Sequence, residues 1–280
     1  FYVYKTLKVK YSFLKYLFSK EIWLSKSAFI DYFMIFFNSV IKVMVIAQYL
    51  TAGLYLAYEV TTFFEHQLGL TDLDLSTTQI MILFTITLTI VKDFATYVIH
   101  LIMHKVPFLW EFHKIHHSAT TLNPVTQYRI HPVELIINNG VGILCFGIVM
   151  GIFDYISNHQ INEWLFLGAN VFGVVFMFWG ANLRHSHVKL KYFNWLESIF
   201  ISPFQHQIHH SNNPVHFNKN MGAKLAIWDW LFGTLIKSKS VKTLKFGLGT
   251  EDDKNYDSFI KNLYMPFVNI FKRLSGAIKK

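Results

Sequence analysis

The chain has one cysteine and few charged residues, and both features limit the classes of protein to which it can belong. Cys145 is the single cysteine of 280 residues, so disulfides, cysteine-rich zinc sites and iron–sulfur clusters are excluded within the chain. Charged residues make up 15% of the sequence, against about 25% in an average soluble domain, whereas 52% of the residues are hydrophobic and 18% are aromatic. The composition therefore predicts an integral membrane protein.

Four apolar segments are long enough to cross a bilayer as helices, which takes about 20 residues each. They cover about 32–58, 79–104, 133–153 and 161–182. A short turn joins the last two, which predicts an antiparallel hairpin. The fold class expected from this pattern is all-α, with a membrane bundle of about four transmembrane helices.

Basic residues predict the orientation of these spans. The loop at 59–79 and the turn at 154–163 contain no Lys or Arg, whereas both termini and the 105–132 loop contain many. By the positive-inside rule, the termini and the 105–132 loop are expected to be cytosolic. This topology and anionic headgroups explain the net charge of +9, and nucleic-acid binding gains no support. Lys42 and Lys92 are exceptions, because each lies inside a predicted span.

The chain has 14 histidines, and eight of them form three clusters on the predicted cytosolic side. The clusters are a pair, His100 and His104, and two triplets, His113, His116 and His117, and His206, His209 and His210. Residues at i, i+3 and i+4 share a helical face, so each triplet is expected to aim three imidazoles at one point. Imidazole is a common ligand of transition metals, and eight of them suit two ions better than one.

Two further histidines lie where predicted spans reach the same surface. His131 precedes Pro132 at the start of the third span, and His185 follows the fourth. We expect both to be ligands or partners of ligands, and we leave His187 open between such a role and a surface position. Three histidines of the loops are predicted to lie outside the site: His66, His159 and His216.

The second span carries two more candidate site residues. Asp93, Tyr97, His100 and His104 follow one another at spacings of 4, 3 and 4, which places them on one helical face. A charged residue inside a span is costly and indicates a function. Asp93 is expected to accept a hydrogen bond from a ligating histidine and fix its tautomer, with Tyr97 beside it. The alternative is that Asp93 pairs with Lys92.

Together these motifs resemble the fatty acid hydroxylase/sterol desaturase superfamily of integral-membrane di-iron enzymes. The resemblance covers about residues 85–250 and rests on the order His-x3-His, His-x2-His-His, His-x2-His-His. Four surrounding segments match as well: Trp110-Glu-Phe-His-Lys-Ile-His-His-Ser118, His131-Pro-Val-Glu134, Ser202-Pro-Phe-Gln-His-Gln-Ile-His-His-Ser211 and Ile227-Trp-Asp229-Trp-Leu-Phe-Gly233-Thr234. The resemblance implies that the eight clustered histidines are ligands and that His131 and His185 match additional histidines of the pattern. His187 departs from it, because relatives usually have a non-ligating polar residue there.

The resemblance also implies an activity. Two iron ions are the expected cofactors, with zinc as the alternative in purified protein and O2 as co-substrate. The expected enzyme is a lipid hydroxylase (monooxygenase) that oxidises a C–H bond of a sterol, a fatty acyl chain or a related lipid, and a desaturase with the same site is the alternative. A metal transporter or a non-catalytic metal-binding membrane protein are rivals from other classes. A transporter would hold its ligands near mid-membrane, whereas these histidines gather at one surface.

Oxygen activation needs electrons, and the sequence has no dinucleotide-binding fingerprint. We expect an external donor, either a b-type cytochrome or a ferredoxin with its reductase, and a membrane lipid as substrate. The whole chain, 1–280, is treated as one domain of the endoplasmic reticulum or a bacterial inner membrane. Its expected parts are an interfacial arm (1–27), four spans (28–182), a cytosolic helical cap that holds the metal site (183–250) and an amphipathic tail (251–280).

Overall fold

The structure is a computed structural model that describes residues 1–71, 73–159 and 174–276. Within these residues the regular structure is helical, and the β-structure is one bridge between Phe200 and Leu225. The α-helices are α1 (Tyr2–Thr6), α2 (Phe13–Leu17), α3 (Lys20–Trp23), α4 (Lys26–Leu68), α5 (Thr77–Lys105), α6 (Pro107–His117), α7 (Pro132–Ile156), α8 (Pro203–His209), α9 (Ile227–Leu231), α10 (Thr250–Asn255) and α11 (Phe259–Leu274). Residues 174–178 are also helical. Short 3-10 helices occur at Pro124–Tyr128, Ala181–Leu183, Leu196–Ser198, Pro214–His216 and Ser238–Ser240.

Among the described residues, three helices are long and apolar enough to cross a membrane: α4, α5 and α7. The 43 residues of α4 extend for about 65 Å, roughly twice the thickness of the hydrocarbon core. The first three predicted spans are thus confirmed as helices, each with wider bounds than predicted. Since α4 continues to Leu68, the loop predicted at 59–79 is shorter than expected. The fourth predicted span, 161–182, lies mostly outside the described residues.

The N-terminal arm, predicted over 1–27 as an interfacial segment, contains three short helices. Lys8 has a left-handed φ of 51°, which ends the first helical stretch. The Ser12 hydroxyl accepts a hydrogen bond from the Lys15 N–H (3.3 Å) and so begins α2. Val3 and Tyr16 pack with Val188 in one apolar cluster, which attaches the arm to a distant part of the chain.

The described chain forms two compact units. The first comprises Phe1–Val40, His100–Leu135 and Gly180–Lys280. The second comprises Ile41–Ile99 and Ile136–Trp179. The first unit contains the short helices and all the clustered histidines, whereas the second contains most of the three long apolar helices.

In the first unit, α11 packs on α6. The rings of Phe112 and Phe267 contact edge to face, with centroids 5.3 Å apart. The buried carboxylate of Glu111 accepts hydrogen bonds from Asn269 Nδ2 (2.8 Å) and from Arg273 Nη2 (3.0 Å). The helical part of the predicted tail therefore fixes the position of the helix that carries the first histidine triplet.

In the second unit, α4 and α7 approach closely at small residues. A Cβ atom added to Gly147 would lie 2.9 Å from the carbonyl oxygen of Gly53, and one added to Gly151 would overlap the carbonyl oxygen of Ala57. The Thr61 hydroxyl also donates to the Gly151 carbonyl at 3.1 Å. Small residues spaced four apart permit this backbone approach between membrane helices. Any side chain at position 151 would therefore separate the two helices.

We expect Gly151→Ala to lower the free energy of unfolding by about 1–3 kcal/mol, because its methyl group would overlap the Ala57 carbonyl. Gly140→Ala is the matched control in the same helix, since a Cβ atom there meets no atom within 4 Å. The melting temperatures of the two variants in detergent test the prediction. Equal melting temperatures would contradict the close approach at Gly151.

Candidate metal centre

The end of α5 and the whole of α6 carry the first five clustered histidines. Pro107 begins α6 and separates it from α5, at a position where a missing N–H costs nothing. The helical placement predicted for these residues is confirmed. They are His100 and His104 on α5, and His113, His116 and His117 on α6.

A capping box begins α8, which carries the second triplet. The Ser202 hydroxyl accepts from the Gln205 N–H (3.2 Å), and the Gln205 side-chain oxygen accepts from the Ser202 N–H (2.9 Å). Such reciprocal bonds satisfy two N–H groups that a helix start would otherwise leave unpaired. His206 and His209 lie within α8, and His210 is its C-cap. All three are buried.

Nine histidines gather into two groups, and in each group the candidate ligand atoms lie within 4.8 Å of one another. The five-histidine group contains His100, His104, His113, His117 and His209. The four-histidine group contains His116, His185, His206 and His210. The two groups are in contact, since the rings of His117 and His210 stack with centroids 4.6 Å apart.

This division corrects the expectation that each triplet aims at one point. His113 and His117 belong to one group and His116 to the other, and likewise His206 and His210 are separated from His209. A helix turns about 100° per residue, so i+4 lies about 40° to one side of i and i+3 about 60° to the other. One triplet can therefore serve two adjacent groups.

Four histidines are oriented through Nδ1 by an oxygen of a protein group. The pairs are His100 Nδ1 with Met221 O (2.8 Å), His113 Nδ1 with Glu134 Oε1 (2.9 Å), His116 Nδ1 with Arg129 O (3.2 Å) and His209 Nδ1 with Lys219 O (2.9 Å). Carbonyl and carboxylate oxygens accept, so Nδ1 donates and carries the proton. The lone pair of each ring is then on Nε2, where it is available to a metal ion.

The Nε2 atoms of the five-histidine group lie closer together than unpaired acceptors should. His113 Nε2 is 3.1 Å from His100 Nε2 and 3.2 Å from His117 Nε2. Lone pairs at this separation repel, whereas two nitrogens bound to one metal ion at about 2.0–2.1 Å are about 3 Å apart. His104 Nε2 and His209 Nε2 are buried and have no hydrogen-bond partner among the described residues. These donors fit a metal ion.

The four-histidine group is arranged around His185. Its Nε2 atom is 3.0 Å from the Nε2 atoms of His116, His206 and His210. Four imidazole nitrogens that converge at this spacing match the donor set of one transition-metal ion. The sequence prediction of two ions is consistent with this second group.

Burial keeps these imidazoles neutral, which ligation of a metal requires. Removal from water lowers the pKa of His113 and His116 to about 3. It also lowers the pKa well below 6.5 for His117, His185, His206, His209 and His210. At neutral pH each ring therefore has a lone pair to share.

His131 does not join either group. Its Nε2 atom is 3.1 Å from the Leu263 carbonyl oxygen, and its Nδ1 atom accepts from the Val133 N–H at 3.1 Å. Both ring nitrogens are thus engaged by the backbone. The position of His131 before the first residue of α7 gave no signal that its ring would turn to these partners.

The other candidates also lie outside the two groups. Asp93 and Tyr97 are buried in the second unit, and their predicted support of the ligands stays a prediction. His187 packs against the ring of Tyr16, with centroids 4.8 Å apart. The three histidines expected to lie outside the site are in neither group: His66, His159 and His216.

Sequence reasoning missed the residues that hold the orienting carbonyls. The buried carboxylate of Asp229 accepts from the Met221 N–H and the Gly222 N–H, both at 2.8 Å, and so fixes the segment whose carbonyl receives His100. Asp31 accepts from Arg129 Nε at 2.6 Å and fixes the residue whose carbonyl receives His116. In the sequence, Asp229 is distinguished only as part of a matching motif. Asp31 and Arg129 are far apart in the sequence, so no local pattern predicts that they pair.

A cavity of about 420 Å³ in the first unit reaches both groups. Four of its lining residues are histidines, from the five-histidine group (His104, His117 and His209) and from the four-histidine group (His210). The remaining walls mix apolar side chains with polar ones: Trp110, Phe217 and Leu248, and Lys114, Asn212, Asn218, Asp252 and Arg273 among others. A small or amphipathic molecule can therefore reach the histidines through this cavity.

Residues 85–234, more than half of the chain, match the fatty acid hydroxylase family. The chain belongs to this family. The match contains all nine grouped histidines, the orienting Glu134 and the carboxylate of Asp229. Membership in the fatty acid hydroxylase family therefore rests on the region that forms the two groups.

Three curated relatives are similar to the chain over part of its length. The chain is similar to an alkylglycerol monooxygenase of Caenorhabditis elegans (26% identical, covering 67% of this chain and 34% of that protein). It is also similar to the ornithine lipid hydroxylase OlsE of Rhizobium tropici (28%, covering 64% and 48%) and to cholesterol 25-hydroxylase of Homo sapiens (30%, covering 51% and 47%). The chain thus spans about a third to a half of the length of these relatives. No solved structure matches it.

The two groups predict the metal content of single variants. His185→Ala removes the central nitrogen of the four-histidine group, so we expect the metal content to fall from about two ions per chain to about one. His131→Ala is the control, and it should retain both ions because neither ring nitrogen joins a group. Elemental analysis of the purified proteins gives the ratios. Loss of metal in His131→Ala to the same extent as in His185→Ala would contradict this assignment.

Asp229 predicts a second effect, on metal affinity. In Asp229→Asn, an amide group would face the N–H groups of Met221 and Gly222, so the carbonyl that orients His100 should shift. We expect metal affinity to fall by about 10–100-fold, as is usual when a partner of a ligand is lost. Asp253→Asn is the control, because Asp253 also accepts a backbone N–H (Leu248, 2.7 Å) but in a segment without ligands. Competition with a chelator measures both, and equal affinities would exclude the positioning role.

Proposed function

We propose that this protein is an O2-dependent lipid hydroxylase with two iron ions. The observation that carries the proposal is the pair of adjacent, buried, all-histidine groups in a chain of the fatty acid hydroxylase family. A structural zinc site uses four ligands and gains nothing from a second set. Two sets in contact indicate two ions that act together.

The ligands of the proposed site are the nine grouped histidines, with His131 outside them. His100, His104, His113, His117 and His209 would hold one ion, and His116, His185, His206 and His210 the other. Imidazole suits both iron and zinc, so the choice of iron rests on the family and on the redox chemistry of its named members. Bound iron would supply the activation of O2 and the oxidation of a C–H bond.

The chain's own residues would position the ligands and exclude water. Oxygens of Met221, Glu134, Arg129 and Lys219 hold four rings in one tautomer, so the donor atoms need little rearrangement when the ions bind. Burial of the rings limits the water that could quench a reactive site. The cavity beside His104 and His117 would admit the substrate or O2.

Hydroxylation is favoured over desaturation because the relatives named above are hydroxylases and monooxygenases. One atom of O2 would enter the C–H bond and the other would leave as water, with the uptake of two electrons and two protons. The three long apolar helices favour a membrane lipid as substrate. The electrons would come from a donor outside these residues, either a b-type cytochrome or a ferredoxin with its reductase. The site and both termini would face the cytosol.

Mass spectrometry of total lipids tests the proposal. Cells that express the wild-type chain should contain a lipid that has gained one oxygen, and cells that express His116→Ala/His209→Ala should lack it. The double variant removes one ligand from each group and leaves the apolar helices unchanged. A supplied cytochrome or ferredoxin system provides the electrons in both cultures.

Two results would overturn the assignment. A wild-type-specific lipid that has lost two hydrogens would replace hydroxylation with desaturation at the same site. Identical lipids in both cultures, with metal-loaded protein and a supplied donor, would favour a metal-binding membrane protein without catalytic activity. Metal flux into liposomes that contain the purified protein would instead indicate a transporter.

A further inference from the structure

A second cavity, of about 540 Å³, lies within the second unit between the three long helices. Its walls are formed by α4, α5 and α7, and they include apolar side chains such as Ile46 and Phe146. Lys92 also lines it, with Thr96 one turn further along α5 and Asn139 on α7. We call this cavity the Lys92 cleft. It therefore combines a cation and amide groups with a lining of membrane-spanning helices.

Lys92 is an unusual residue for such a place. It is the sixteenth of the 29 residues of α5, so it lies about 20 Å from either end of the helix. Its stem packs over Gly142, where an added Cβ atom would lie 3.7 Å from Lys92 Cε. Among the described residues, the Nζ atom takes part in no ion pair or side-chain hydrogen bond. A cation at this depth of a spanning helix is costly and indicates a partner or a function.

We infer that the Lys92 cleft binds the carboxylate end of a single-chain lipid, with Lys92 as the cationic partner. The ligand class is a long-chain carboxylic acid such as a free fatty acid. The ammonium group would pair with the carboxylate, Asn139 would offer an amide to it, and the apolar walls would contact the chain. This site is independent of the hydroxylase proposal, because binding requires neither metal nor electrons.

The depth of Lys92 favours a carboxylic acid over a phospholipid headgroup. A carboxylic acid can cross hydrocarbon in its neutral form and ionise on meeting an amine, since an apolar environment favours the uncharged acid. A phosphodiester keeps its charge and stays near the interface, about 20 Å away along the helix. The volume of the cleft is also in the range of a single ligand of moderate size, roughly 300–1,000 Å³.

Binding measurements in nanodiscs of neutral phosphatidylcholine test this inference. The probe is a spin-labelled stearic acid, which oleic acid, oleyl alcohol or phosphatidylglycerol then displaces. We expect oleic acid to bind wild-type protein at least about tenfold more tightly than oleyl alcohol, because only the acid pairs with Lys92. In Lys92→Met this preference should disappear. Lys42→Met is the matched control, since Lys42 lies in the apolar helix α4 but does not line the cleft.

Each outcome of the binding measurements either supports or overturns the assignment of a carboxylic acid to the Lys92 cleft. An unchanged preference in Lys92→Met, or no preference in the wild type, would overturn the inference. Displacement by phosphatidylglycerol as effective as by oleic acid would assign the cleft to a phospholipid headgroup instead. Lys92→Gln is a second uncharged variant, and melting temperatures show that the compared proteins are folded. A failure here leaves the hydroxylase test untouched, because that test depends on the histidine groups.

Discussion

Imidazole nitrogens about 3 Å apart in a largely buried site are the constraint on which the first unit depends. Neutral rings in this arrangement turn their lone pairs toward one another, and burial of most of the rings limits the water that could donate to them. A metal ion relieves both costs, because it gives each lone pair a partner at the spacing already present. The spacing and burial of the two groups therefore fit metal sites, and metal binding would account for the many buried polar side chains in a chain with so little charge.

The tautomers of the rings depend in turn on oxygens from distant segments. The carbonyl oxygens of Lys219 and Met221 accept hydrogen bonds from His209 and His100. The loop after α8 that carries these carbonyls must therefore have a fixed backbone conformation. Asp229 restrains this loop by accepting hydrogen bonds from the N–H groups of Met221 and Gly222. Asp31 likewise restrains Arg129 by accepting a hydrogen bond from its Nε atom. Short capped helices and buried carboxylates suit this task better than long helices, because a carbonyl inside a helix already accepts a hydrogen bond.

The structural features that the sequence predicted correctly are those that depend on the periodicity and the composition of the chain. The spacing of the histidines predicted that both triplets lie on helices, and the apolar runs predicted α4, α5 and α7 within a few residues at several ends. The expectation of two ions stays a prediction, with which the two histidine groups are consistent. The partition of each triplet between two groups required the direction of each helix, which spacing alone does not give. The orienting carbonyls are backbone atoms and leave no mark in the sequence. His131 was expected to be a ligand or a partner of a ligand, and the structure instead shows the backbone engaging both of its ring nitrogens.

The order in which the grouped histidines occur along the chain would have a thermodynamic consequence if they bind metal ions. The nine grouped histidines run from His100 to His210, and residues of α5, α6 and α8 meet in the same group. Ions bound there would join segments that are far apart in the sequence, so the binding free energy would add to the free energy of folding. Closing a long loop costs only slightly more entropy than closing a short one. Ions bound by residues of distant helices could therefore stabilise the first unit at little extra entropic cost. The apolar helices of the second unit instead pack directly against one another at Gly147 and Gly151.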